Sequence, residues 1–487
     1  MQKLVDLIHA GTLNDWSNRC REAFDELYGA SGGRYPVRAG QAVTLRAPEF
    51  PSGKGVPFAA LIHPSNPDSG AYGGMSFVIF PVEGKPALLS MGVGTQGLSP
   101  DEEVLGRPGH ARKLAAIGRW VNKTHGRGKM VAWAKQDPTR IDIDVPGNIR
   151  NLFADYKTVF ERYGKVLYYL YAPGENKHET RECLAALLDL MFSERDQHPL
   201  SSAAVESKQL QVSYYRHLFP AVQSSDICDL LARKKYAILQ GPPGTGKTRY
   251  ALEVLGNEYK GHGAVIQFHP NTTYESFLGG LAPVHSSAQL GLSFAPKAGF
   301  LMEAAAMAQQ KPTEPFLLVI DEINRADLAK VLGEAIFLLE PMAAPRSLSL
   351  PHDFGQPFGS SFTIPENLHI LGTMNSSDRS IAILDIAVRR RFSYLKLWPQ
   401  IDVVESNGAR LMRDAFLDLQ SIFVEYADEE ALELMPGHSY FLESDPAKVV
   451  QALQTNLGPL LEEYLKHGYV AAFADAIRAY LQWLDSL

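Results

Sequence analysis

Eight residues, Gly241, Pro242, Pro243, Gly244, Thr245, Gly246, Lys247 and Thr248, constrain this chain more than any other stretch. They follow directly on the apolar run YAILQ at 236–240, so strand, loop and helix start come in the order a phosphate-binding loop needs. The glycines leave backbone N–H groups free to converge on a phosphate at a helix N-terminus. Lys247 is placed to reach the β- and γ-phosphates, and the hydroxyl of Thr248 to ligate Mg²⁺. The pattern predicts nucleotide binding on an α/β scaffold.

The 487 residues allow roughly three domains of ~150 residues. Hydrophobic content of 45% and charged content of 21% are those of an ordinary globular protein. A net charge of −7 argues against wholesale coating of nucleic acid but leaves room for a local basic patch. The three cysteines, Cys20, Cys183 and Cys228, lie far apart without CxxC spacing, which fits buried thiols in a reducing compartment. The first residues carry no sustained apolar stretch or cleavage signature, so no signal peptide is expected, and no stretch approaches ~18 uninterrupted apolar residues. A cytoplasmic protein without a membrane partner is expected.

The first ~40 residues carry helical spacing. From 41 to 98 the pattern changes to short strands, FAALIHP, MSFVIFPV and ALLSMGV, separated by turn residues. Helical spacing returns over about 151–190, broken at Ala172-Pro-Gly-Glu175, and the polar stretch 193–207 reads as a linker. Strand and helix signals then alternate to about Pro399, which predicts a parallel sheet. The last ~85 residues read as helical. The expected division is an α+β domain at 1–195, a linker at 196–207, a phosphate-loop core at 208–400 and a helical lid at 401–487. MGVGTQG at 91–97 contains a GxGxxG after a strand, but no βαβ unit or acidic strand end accompanies it, so it reads as a glycine-rich strand exit.

The segment FLLVIDEINRA, 316–326, delivers two carboxylates at the C-terminal end of a buried strand, where open α/β sheets bind ligands. Asp321 is expected to hold Mg²⁺ and Glu322 to polarise the water that attacks the γ-phosphate. A third strand, LHILGTMN, ends at Asn375, whose side chain could position that water. Beyond it three arginines, 389–391, close a helix. They either compensate its dipole or act as a finger inserted into a neighbouring subunit's nucleotide.

The stretch 241–392 resembles the AAA+ motor of the McrB family, the NTPase subunits of modification-dependent restriction systems. VIQFHPNTTYESFLGGLAP (265–283), IDEINRADLAKVLGEAIFLLE (320–340) and FTIPENLHILGTMNSSDRS (362–380) carry the match, with GHSYF (437–441) and LLEEYL (460–465) similar to pieces of the family's lid. MNSSDRS stands where the family has MNTADRS, and keeps Asn375, Asp378, Arg379 and Ser380. The resemblance implies an AAA+ P-loop NTPase with a parallel sheet and C-terminal helical lid, preceded by an α+β domain. It implies that Gly241–Thr248 bind the triphosphate, that Thr248 and Asp321 serve Mg²⁺, and that Glu322 and Asn375 act on the lytic water. Arg390 and Arg391 fall where trans-acting residues lie, Asp378 and Arg379 belong to a subunit-contact loop, and His438 packs the lid. It further implies a homo-oligomer, a hexamer-like ring, with a separate McrC-like nuclease, in antiviral defence. ATP is the expected nucleotide, with GTP as the alternative.

The stretch 107–135 is basic and free of Asp and Glu. Arg112, Lys113, Arg119, Lys123, Arg127 and Lys129 could neutralise phosphates while Trp120 stacks on an exposed base, against the plainer reading of a solvated face and core tryptophans. No nuclease constellation or metal-type His/Cys cluster is evident. Two rival functions are a nucleotide-gated sensor of a phage protein or signal, and a MoxR-like remodelling chaperone.

Overall fold

The computed structural model describes residues 1–29, 32–46, 55–67, 69–285, 292–340, 346–376 and 386–487. The chain forms two compact units, Met1–Phe219 with Ser421–Asp428, and Pro220–Gln420 with Glu429–Leu487. The expected residues Asp378 and Arg379 lie outside the described residues.

The first unit is built on a six-stranded antiparallel sheet of β1 (Thr44–Arg46), β2 (Ala59–Ile62), β3 (Met75–Val82), β4 (Lys85–Val93), β5 (Ala132–Ala134) and β6 (Leu167–Tyr171). The order across the sheet is β1-β2-β3-β4-β6-β5. Nearly every residue of β2, β3 and β6 is buried, so both faces of the sheet are covered. One face packs on Ile149, Phe153, Val159 and Phe160 from the helical segments before β6. Helices Pro108–His125 and Lys177–Ser193 also pack on the sheet. β6 lies inside the stretch expected to be helical. LYYLY is a short apolar run bounded by Gly164 and Pro173, and periodicity alone cannot separate such a strand from a buried helical turn.

No linker occupies 196–207. Helix Ser201–Tyr215 begins there and buries Leu210, Val212, Tyr214 and Tyr215. Its Glu206 accepts hydrogen bonds from Arg34 at 2.6 Å and from Arg181, and Arg34 also grips Asp189 through Nε at 2.7 Å. Polar composition signalled a linker, but the Glu206 carboxylate is held by arginines distant in sequence. The boundary falls at Phe219/Pro220 instead.

The second unit carries a five-stranded parallel sheet. Its strands are β7 (Tyr236–Gly241), β8 (Gly263–Gln267), β11 (Phe316–Asp321), β14 (Leu368–Asn375) and β15 (Ser393–Lys396), in the order β15-β7-β14-β11-β8. Two separate two-stranded antiparallel sheets accompany it, β9 (Gly279–His285) with β10 (Leu292–Ala298) and β12 (Leu348–Ser349) with β13 (Ser361–Phe362). Apolar clusters lie on both faces of the parallel sheet, one around Ile238, Leu318 and Ile370, the other around Leu239, Val319 and Leu371. Alternate residues of the same strands thus supply opposite layers. The C-terminal part is helical, as expected, with Gly458–Lys466 and Ala474–Asp485 among its helices. No helix among the described residues is long and apolar enough to cross a membrane.

Candidate nucleotide site

The phosphate loop leaves the tip of β7, which lies between β14 and β15. Gly241 is required by crowding, because a Cβ there would sit 2.2 Å from the carbonyl oxygen of Leu397. Gly244 and Gly246 hold φ values of 78° and 76°, in the left-handed region that favours glycine. Gly246 caps helix Lys247–Glu253, and the Thr245 hydroxyl donates to the Pro242 carbonyl at 2.9 Å, closing the loop on itself. Lys247 is buried, and its ammonium donates to the carbonyls of Gly241 and Pro242 at 3.0 and 2.8 Å. Burial lowers its pKa to about 8, against the opposing pull of Glu322 and Asp321.

Register brings the acidic strand to the loop. β11 pairs with β14 so that Ile320 lies opposite Gly372, which sets Asp321 beside Thr373. Asp321 Oδ1 accepts two hydroxyls, Thr248 at 2.7 Å and Thr373 at 2.6 Å. The oxygens of Thr248 and Asp321 therefore already converge. Mg²⁺ takes one or two protein oxygens and completes its shell with phosphates and water, so this pair fits that ion, whose chemistry is charge neutralisation between phosphates.

Glu322 follows with φ 52°, an uncommon conformation for a residue with a side chain. Its backbone N–H donates to Thr373 Oγ1 at 3.1 Å, which helps hold that turn. Asn375 Nδ2 donates to Glu322 Oε1 at 2.8 Å. The other oxygen, Oε2, is buried without a hydrogen-bond partner and has only Arg325 Nε at 3.5 Å. A buried carboxylate oxygen left over in this way suits a water that it could polarise. Thr373 went unnoticed in the sequence. The signal was its place two residues before Asn375 on a strand alongside β11.

Residues 237–392 match the AAA domain of the dynein-related subfamily. The chain is 31% identical over 355 residues to the type IV methyl-directed restriction enzyme EcoKMcrB subunit of Escherichia coli K12, over 66% of this chain and 75% of that protein. The chain belongs to the McrB family of AAA+ NTPases. A second match, the type II restriction enzyme BsuMI component YdiS of Bacillus subtilis 168, is 27% identical over 210 residues, 35% of this chain and 59% of that protein. A solved putative ATPase from Cytophaga hutchinsonii overlaps 57% of this chain and 98% of its own at 13% identity, with a TM-score of 0.24, too loose an overlap to carry an argument.

The three arginines 389–391 differ among themselves. Arg389, the last residue of helix Ile386–Arg389, and Arg390 just after it are exposed. Arg391 is buried; its Nε donates to the Ile336 carbonyl at 2.9 Å, another nitrogen donates to Ala387 at 2.6 Å, and Glu340 lies 3.5 Å away.

The basic stretch of the first unit also separates. Lys113 is buried between Glu194 at 2.7 Å and Glu425 at 2.5 Å. Arg112 donates to the backbone carbonyls of Val424 and Ala427, and Trp120 is buried against His125. Arg119, Lys123, Arg127 and Lys129 are exposed, Arg119 donating to the His217 carbonyl and Arg127 pairing with Glu179. Lys135 donates to three backbone carbonyls, those of Arg140, Ile143 and Lys165. The seven expected residues therefore do not form one basic surface. The carboxylates and carbonyls that occupy four of them, Arg112, Lys113, Arg119 and Arg127, come from distant segments.

Proposed function

We propose that this chain is the motor and recognition subunit of a McrBC-like restriction system. It hydrolyses ATP, with GTP as the alternative nucleotide, in a homo-oligomeric ring that drives a separate McrC-like nuclease, and its first unit recognises nucleic acid. The observation that carries the catalytic part is the pair of side-chain links at the strand tips, Thr248–Asp321 and Asn375–Glu322. In this reading Lys247 exchanges the carbonyls of Gly241 and Pro242 for phosphate oxygens. Asp321 and Thr248 hold the metal, and Glu322, aimed by Asn375, takes the proton of the attacking water.

Recognition has a better candidate than the basic stretch. A cavity of about 400 Å³ opens beside β1 and β4, lined among others by Arg46, Phe58, Tyr72, Arg162 and Tyr163. Phe58 and Tyr163 meet edge to face at 5.8 Å. The Arg46 guanidinium lies 5.7 Å from the Phe58 ring and 5.3 Å from Tyr72, and Arg162 lies 5.7 Å from Tyr163. Aromatic walls with guanidinium groups beside them suit a nucleobase stacked out of a strand with its phosphates nearby. The test titrates unmodified, cytosine-methylated and hydroxymethylated duplexes and single strands at fixed salt, in the presence of nucleotide. Tyr72→Ala and Tyr163→Ala should each weaken binding roughly 5- to 100-fold, the worth of one stacked base. Lys123→Ala with Lys129→Ala should change it less. An absence of binding to every nucleic acid, with hydrolysis intact, would favour a sensor of a protein or small signal.

A further inference from the structure

The segment Gly437–Phe441 lies directly on the phosphate loop. The Gly437 N–H donates to the Pro243 carbonyl at 2.9 Å and the Ser439 N–H to the Gly244 carbonyl at 3.0 Å. A Cβ on Gly437 would stand 2.0 Å from the carbonyl carbon of Gly244, so backbone meets backbone here with no room for a side chain. Between these two anchors sits His438, which is buried.

The two ring nitrogens of His438 have different surroundings. Nδ1 lies 3.2 Å from the backbone nitrogen of Gln400 and accepts its N–H. A neutral imidazole that accepts at Nδ1 carries its proton on Nε2. Burial, together with Arg249, lowers the pKa to about 4, so the ring is neutral near pH 7. Nε2 lies 3.7 Å from where a Cβ on Gly246 would stand. Gly246 caps the helix that begins with Lys247, where phosphate gathers in this class of loop. The lid thus places a neutral N–H donor beside the loop, while the backbone of Gln400 fixes its tautomer.

We infer that His438 is a nucleotide-binding residue of the lid, donating from Nε2 to a phosphate oxygen of the bound nucleotide. The inference rests on Gly241–Thr248 being the nucleotide site, and goes beyond it in coupling the lid to occupancy of that site. Bound phosphate adds a third tie between lid and loop to the two backbone hydrogen bonds already present.

Three full-length variants test it, His438→Phe, His438→Gln and His438→Asn, with Lys247→Ala as control. The readouts are fluorescent ATP, GTP, ADP and AMP binding, the KM and kcat of hydrolysis, and thermal melting. A lost hydrogen bond to a charged oxygen predicts roughly 10- to 100-fold weaker binding for His438→Phe. The Gln amide nitrogen reaches the Nε2 position and should recover most of this, while the Asn amide matches only the Nδ1 end and should not. Recovery by Asn but not Gln would make His438 a packing residue held by Gln400, and would overturn the inference. So would a change in ATP-over-GTP preference with equal losses for nucleotides lacking the contacted phosphate. If Lys247→Ala itself leaves binding unchanged, the nucleotide site is misassigned. If Lys247→Ala abolishes binding and His438→Phe does not weaken it, only the lid inference fails.

Discussion

Glu322 and Lys247 are the residues at which the local physics is most exacting. Glu322 sits at positive φ, tied by its N–H to Thr373 and by its carboxylate to Asn375. Replacing it by Gln keeps the shape and removes the base, so turnover should fall about 10²–10⁴-fold with nucleotide binding retained. Unchanged turnover in a steady-state assay would remove Glu322 from the chemistry. Lys247, lowered from 10.5 to about 8, carries a burial cost that is present below pH 8 and fades as pH rises toward the ordinary lysine value. Phosphates restore the charge, so nucleotide binding should take up a proton above pH 8 and weaken as pH climbs. Calorimetry at pH 8.5 in buffers of different ionisation enthalpy reads that proton directly. A buffer-independent enthalpy would contradict it.

At the scale of elements, what could be foreseen follows how local each signal is. β7 with its loop, and β11 with its acidic tip, are contiguous motifs in which composition, spacing and strand order all agree. The part played by Thr373 depends on the register of β14 against β11, which no single segment encodes. β6 was hidden because five buried residues look alike in a strand and a helix. The stretch 196–207 misled through its serines, since Glu206 is held by Arg34 and Arg181. The lid segment makes a prediction of its own kind. Gly437 has an ordinary φ of −69°, so Gly437→Ala strains no backbone and acts through its Cβ alone. Overpacking of this sort costs about 1–3 kcal/mol, which here should push the lid off the loop. Weaker nucleotide binding with a modest loss of melting temperature is the expected result, and wild-type affinity would show that the lid contact is dispensable.

For the whole molecule, the arginine pair distinguishes assembly from folding. Arg390 is exposed, and in a ring it would serve the neighbouring subunit's nucleotide. Arg390→Ala should lose about 10³–10⁵ in turnover. Mixing it with Lys247→Ala subunits should restore part of that, since each lacks a different half of the shared site. No recovery in mixed assemblies would argue against a trans role. Arg391, pinned by Ile336 and Ala387, should instead lower the melting temperature when cut to Ala. The burial of Lys113 between Glu194 and Glu425 has a consequence for how this protein responds to its surroundings. Mobile ions screen charges in water, with a Debye length of about 8 Å at physiological salt, but scarcely reach a pair shut inside the protein. This buried pair is therefore little affected by ionic strength, whereas the proposed hold on a polyanion weakens as salt rises. Salt should then loosen the proposed polyanionic ligand while this buried pair stays closed.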